Sequence, residues 1–176
     1  MTGRPPSPTN RTELLAAIEQ SWHALMDLAQ ALSPEQWSGP TDAAGWSAKD
    51  HLAHLAAWER SLLFLLEGKP AWDGVGISQE DYFSRDIDGV NEIIRQHTIA
   101  TPPDAVLRQF REQHAALVAR IGETTEDRLA LTYSVFVTGH PGQPGKQEPT
   151  MIEALGEDTW QAYDEHRGYI ERILAG

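Results

Sequence analysis

Seven histidines and no cysteine define the chemistry open to this 176-residue chain. Thiol nucleophiles, zinc–thiolate sites and disulfides are excluded together, so ligand and acid–base work falls to imidazole, carboxylate and phenol. The histidines of interest are those whose spacing turns them inward. His51 belongs to the stripe Ala48, His51, Leu52, Leu55, Leu62 and Leu66, with Glu59 or Trp58 completing it, and His54 flanks that stripe one turn before Trp58. His114 falls in Val106, Phe110, His114, Leu117 and Ile121, and His166 in Ile152, Leu155, Thr159, Tyr163, His166, Ile170 and Ile173. A buried imidazole without a partner costs roughly 1–3 kcal/mol, so an inward histidine needs a hydrogen bond or a task. Neutral imidazole is the commonest metal ligand, and helical bundles build metal sites from side chains of facing helices. An inward histidine is equally a core residue bonded to Tyr, Trp, Glu or backbone. Periodicity leaves both readings open.

The elements that must position these groups are legible. Asn10 and Glu13 resemble a capping arrangement before a long helix with the stripe Leu14, Ile18, Trp22, Leu25, Ala29 and Leu32. Ser47 and Asp50 cap the helix that carries His51 and His54, and Gly68-Lys69-Pro70 stops it. Thr101-Pro102-Pro103-Asp104 starts a third helix, ended by Gly122, and a last one runs from about Thr150 to Leu174. Asp88 to His97 predicts a short helix, Ala71 to Asp86 an irregular segment, and Tyr133 to Pro149 an ordered loop or one hairpin arm. The expected fold is all-α, a four-helix bundle with long irregular connections. Residues 10–176 form its single domain, after a disordered tail over 1–9.

Composition narrows the partners. The formal charge of −12 repels phosphate backbones and anionic lipid heads, so neither nucleic acid nor a membrane is an expected partner. No apolar run approaches the roughly 20 residues of a membrane span, and Met1 to Pro8 has no apolar core. A cytoplasmic location is the expectation. Among the tryptophans, Trp22, Trp58 and Trp160 read as core and Trp46 as a staple at a helix entry, while Trp72, Tyr82 and Phe83 read as pocket wall. No phosphate loop, nucleophile elbow or dinucleotide fingerprint is present.

Two motifs carry a resemblance. Trp46-Ser47-x-x-Asp50-x-x-x-His54-Leu55 and Thr159-Trp160-x-x-Tyr163-x-Glu165-His166-Arg167 resemble the DinB/YfiT-like superfamily, and within it the ClbS/DfsB branch, over roughly Thr12 to Leu174. The resemblance implies an up-down-down-up bundle. It also implies a divalent metal (Zn, Ni or Mn) held by one histidine of the second helix and two of the fourth at i and i+4. By position these are His54 and His166. The first fourth-helix ligand falls at Ala162, which cannot bind a metal, so His114, or a carboxylate such as Glu59 or Asp164, is the candidate substitute.

The activity so implied is a metal-assisted hydrolase, or a transferase using a low-molecular-weight thiol, acting on a small electrophilic metabolite in resistance or detoxification. Without a metal, His54 and His166 would be a catalytic acid–base pair, with Tyr163 or Glu59 orienting one of them. The gap at Ala162 motivates the alternative of a non-catalytic bundle that binds or sequesters a small molecule. A third reading is a structural homo-oligomer, a homodimer being the plausible form for a bundle, whose histidines are satisfied core groups.

Overall fold

The computed structural model describes residues 7–137 and 148–176. Four long helices form the bundle: α1 (Arg11–Ala31), α3 (Ala48–Leu66), α7 (Pro103–Glu123) and a last helix built of α9 (Met151–Gly156), a π-helical turn (Glu157–Gln161) and α10 (Ala162–Ala175). Short helices join them: α2 (Pro34–Ser38), α4 (Ala71–Val75), α5 (Gln79–Ser84), α6 (Ile87–Thr98) and α8 (Glu126–Leu129). No strand occurs among the described residues, only the isolated bridges Thr41–Ser47 and Thr132–Thr150.

Three of the four long helices begin where a side chain satisfies the free backbone N–H groups, and α7 begins instead on Pro102-Pro103. Asn10 accepts from the Glu13 N–H before α1. Ser47 and Asp50 form a reciprocal capping box before α3, and Thr150 and Glu153 do the same before α9. Such a cap stabilises a helix by about 1 kcal/mol and fixes the register of the stripe behind it. The stripes then meet in one core. Leu14, Ile18 and Leu25 pack with Leu52, Leu55, Leu62, Phe110, Leu117, Tyr163 and Ile170, every one fully buried. At roughly 1.5–3 kcal/mol per large apolar side chain, this burial holds the four helices together.

The segment 71–86 is not irregular, as its composition suggests, but two short helices hinged at Gly76, whose φ of +85° closes α4 in the left-handed region. Gly74 lets α4 lie directly on α3, because a Cβ there would stand 2.6 Å from the Ser61 Cα. Val75, Ile77, Val90 and Ile94 make a second, smaller core beneath α4–α6. Of the segment 133–149, the described part is a 3₁₀ turn over Tyr133–Val135, with no strand arm. Its ends are pinned by Tyr133 N–H to Pro149 O (2.9 Å) and Met151 N–H to Leu131 O (2.8 Å). Positions 138–147, with His140, lie outside the described residues, as do 1–6 of the expected tail. Thr9 is tied to Glu13 through both its backbone N–H and its hydroxyl.

No described helix is long and apolar enough to cross a membrane.

Candidate functional site

Three imidazoles gather where α3 faces α10. His51 and His54 are three residues apart on α3 and therefore share a face, and His166 comes across from α10. The Nδ1 atoms of His51 and His166 lie 2.9 Å apart, and the His54 and His166 rings stack with centroids 4.8 Å apart. Trp46, just outside the Ser47 cap, has its ring 5.4 Å from both His51 and His54. It therefore walls the site as well as leading into α3. The three histidines, Trp46 and Tyr169 line a cavity of about 680 Å³ with Asp42, Ala44, Asp88, Asn91, Glu92 and Glu165.

Burial sets the charge of these rings. His54 has its pKa pushed down to about 3, by desolvation first and then by His51. His166 is pushed down to about 2, by desolvation and then by His54 and His51. Desolvation also lowers His51, opposed by Asp42. All three are neutral at pH 7 and keep a nitrogen lone pair. Asp42 Oδ2 stands 3.3 Å from His51 Nε2, the place from which a carboxylate holds the second ring nitrogen of a ligating histidine, although the two are not aligned as a hydrogen bond. The Nδ1 of His54 is buried without any partner.

His114 goes elsewhere. It stacks on Trp22 with centroids 3.6 Å apart, and its Nδ1 is 3.3 Å from Glu59 Oε1 and 3.2 Å from the Tyr163 hydroxyl. The Tyr163 hydroxyl donates to the same Glu59 oxygen. Glu59 is fully buried, and desolvation raises its pKa against the pull of His114 and Tyr163. Two polar clusters thus lie along α3, one around His54 and one around Glu59, about a turn and a half apart. Of the residues expected to act together, His54 and His166 meet, whereas Tyr163 and His114 are engaged with Glu59. Asp164 is exposed on α10, 3.8 Å from Arg167. Trp72, Tyr82 and Phe83 pack edge-on or tilted against one another, and none of them lines the cavity.

Divalent metal is the group that the resemblance implies, and the donor chemistry here suits one. Neutral buried imidazoles with an orphaned nitrogen are what a cation such as Zn or Ni requires, with His51 standing where His114 was expected. Among the described residues, however, no three His, Cys, Asp or Glu side chains already stand at ligand spacing. The His51–His166 contact closes the centre.

The profile of the mycothiol maleylpyruvate isomerase N-terminal domain matches residues 18–145. The chain belongs to that family. This places it within the DinB/YfiT-like superfamily that its motifs resemble. No curated protein matches it significantly by sequence. Solved structures share its fold at low identity. The colibactin self-resistance protein ClbS, solved in complex with double-stranded DNA, is 17% identical, with a TM-score of 0.73 over 96% of this chain and 98% of that one. DfsB, described as a sibling lethal factor precursor, is 15% identical, with a TM-score of 0.72 over 96% and 97%. An uncharacterised protein of Clostridium difficile 630 is 11% identical, with a TM-score of 0.78 over 97% and 98%.

Some of this site was beyond the sequence. His51 was visible as inward, but its partnership with His166 was not. Tyr169, one turn beyond His166, carried a helical-spacing signal. Asp42 sits in a loop, and Asp88, Asn91 and Glu92 arrive on α6, so only the folded chain brings them in.

Proposed function

We propose that this protein protects against a small electrophilic metabolite, binding it in the His51–His54–His166 cavity and using a divalent metal for its chemistry. The observation that carries the reading is the meeting of three neutral imidazoles, two of them with an unpartnered buried nitrogen, in the lining of a cavity of small-molecule size. His54 and His166 would hold the metal with His51. The bound metal would supply activation of a water or of a thiol as the nucleophile. Asp42 stands beside His51 on its Nε2 side, and the Trp46 ring packs against His51 and His54.

The depressed pKa values favour this over metal-free acid–base catalysis. A general base works best with a pKa near the operating pH, and His54 near 3 is too weak a base for that task. Low proton affinity does not stop a neutral imidazole from ligating, since metal binding needs the deprotonated form. Hydrolysis and thiol transfer to the electrophile both fit this arrangement. The fold of ClbS supports the resistance reading by likeness alone.

The test is metal content in protein purified without chelator and then offered Zn, Ni or Mn. Stoichiometric metal at neutral pH, lost in His54→Ala and His166→Ala, supports the reading. Absence of metal under all three conditions refutes it. Ala162 and the lack of a ligand-spaced triad among the described residues favour a second reading, a bundle that sequesters its ligand unchanged. Recovery of the stabilising small molecule intact, without turnover, would select it. The ClbS complex with DNA bears on partners too, but the charge of −12 predicts no binding of a 20-base-pair duplex by this chain in a gel-shift titration at 0.15 M salt.

A further inference from the structure

The rim of the cavity has a sign that its floor does not. Four carboxylates line it, Asp42 from the loop before α3, Asp88 and Glu92 from α6, and Glu165 from α10. No Lys or Arg lines it among the described residues. The nearby guanidinium groups are already engaged, Arg95 with Glu92 at 2.8 Å and Arg172 over the Tyr169 ring at 4.8 Å.

Two of the carboxylates are available to a ligand. Asp88 sits exposed in the first turn of α6 and takes part in no hydrogen bond or ion pair among the described residues. Glu165 is exposed and bonded only to the Tyr169 hydroxyl, which leaves acceptor capacity. Glu92 is shared with Arg95 and Gln96, and Asp42 is turned to the backbone N–H groups of Ala44 and Trp46. Acidic residues alone would be an ordinary solvated surface. Here they surround a concave space lined also by His54 and the nearly inaccessible His51, each with one unpartnered ring nitrogen, and with an indole for a wall. That combination describes a site for a ligand with two ends.

We infer that the natural ligand carries a positively charged amine or guanidinium, held by Asp88 and Glu165 at the mouth while its reactive end reaches His54. This rests on the proposed reading of the cavity and adds the substrate class. An aromatic wall beside carboxylates is suited to an organic cation, which gains from the ring face as well as from the charge. The same field disfavours anionic metabolites and nucleic acid at this mouth.

The test uses metal-free protein and three probes of one shape: phenethylamine, 3-phenylpropionate and 3-phenylpropanamide, titrated by ligand-observed NMR at pH 7.5. Phenethylamine is expected to bind at least about tenfold tighter than the other two, and to weaken with added salt. Asp88→Asn and Glu165→Gln should each weaken it about threefold, and the double variant about tenfold, as exposed carboxylates do. The melting temperatures of these surface variants should stay unchanged, which separates lost binding from lost folding. Equal or tighter binding of the anion or the amide overturns the inference, as does failure of all three probes to bind up to their solubility. So does unaltered phenethylamine affinity in the double variant. Cation preference in a protein that takes up no metal would remove the metal reading and leave this one standing.

Discussion

Acid should unfold this protein through its buried histidines, and His54 gives the clearest measure. In the folded chain burial holds its pKa near 3, against 6.5 for the ordinary group. A group whose folded pKa is depressed binds more protons when unfolded, so its contribution to stability is full above pH 6.5 and drains as the pH falls towards 3. Over that whole window the shift is 3.5 pH units, equivalent to about 5 kcal/mol at 1.36 kcal/mol per unit. Most proteins have only about 5–15 kcal/mol in total, so the accessible part of the window is the upper one. Between pH 7.5 and 5.5 the unfolded imidazole gains about one proton-unit of free energy, or about 1.4 kcal/mol, that the folded one does not. The assay is urea unfolding followed by far-UV circular dichroism at pH 7.5, 6.5 and 5.5, with chelator present so that no metal competes with protons. Wild type should lose about 1.4 kcal/mol more than His54→Gln across this interval. Equal losses in the two proteins would mean that His54 titrates in the native state as it does in water. The neutral three-imidazole floor would then be wrong.

Three further outcomes follow from the packing. Tyr163→Phe removes the hydroxyl that donates to the buried Glu59, and should cost about 1–3 kcal/mol in urea unfolding at pH 7. Glu59→Gln should behave differently with pH. The folded pKa of Glu59 is raised, so its favourable contribution is present below about pH 4.5 and is lost as pH rises through the raised value. The glutamine variant should therefore gain on wild type as pH rises above 4.5 in paired melts, and a constant difference would refute the assignment. Gly74→Ala should drive a methyl into the Ser61 backbone and cost about 1–3 kcal/mol, read as faster hydrogen exchange in α4.

The scaffold was legible because its signals are local. Caps at Asn10, Ser47 and Thr150 are decided within four residues, and the stripes behind them follow from the helical period. Leu14, Leu52, Phe110 and Ile170 are as buried as that period demands. Two features escaped it. The π turn at Glu157–Gln161 inserts a residue into an otherwise regular helix, where Thr159 bonds back to the Leu155 carbonyl. No composition signal announces such a bulge. The helices within 71–86 are five and six residues long, too short to show a period, and they exist because α3 offers a surface to pack on.

The histidines mark the same boundary at the site. Periodicity pointed to His51 and motif spacing to His54, which looked like competing choices. Three residues apart, they occupy one face, and the structure uses both. His114 has the same periodic signature as His51, yet it packs under Trp22 beside Glu59. What separates the two is the neighbour on the next helix, His166 for one and Tyr163 for the other. These neighbours are one turn apart on α10, and the histidines reach them from different helices, His51 from α3 and His114 from α7. Chemistry in this bundle is therefore set by the meeting of α3 with α10, a long-range relation. The acidic mouth adds a third partner, α6, whose stripe of Val90 and Ile94 packs inward while Asp88 and Glu92 on the same helix reach the cavity. Changing what the pocket accepts would need only the exposed Asp88 of α6 and Glu165 of α10, leaving the core that holds the imidazoles untouched.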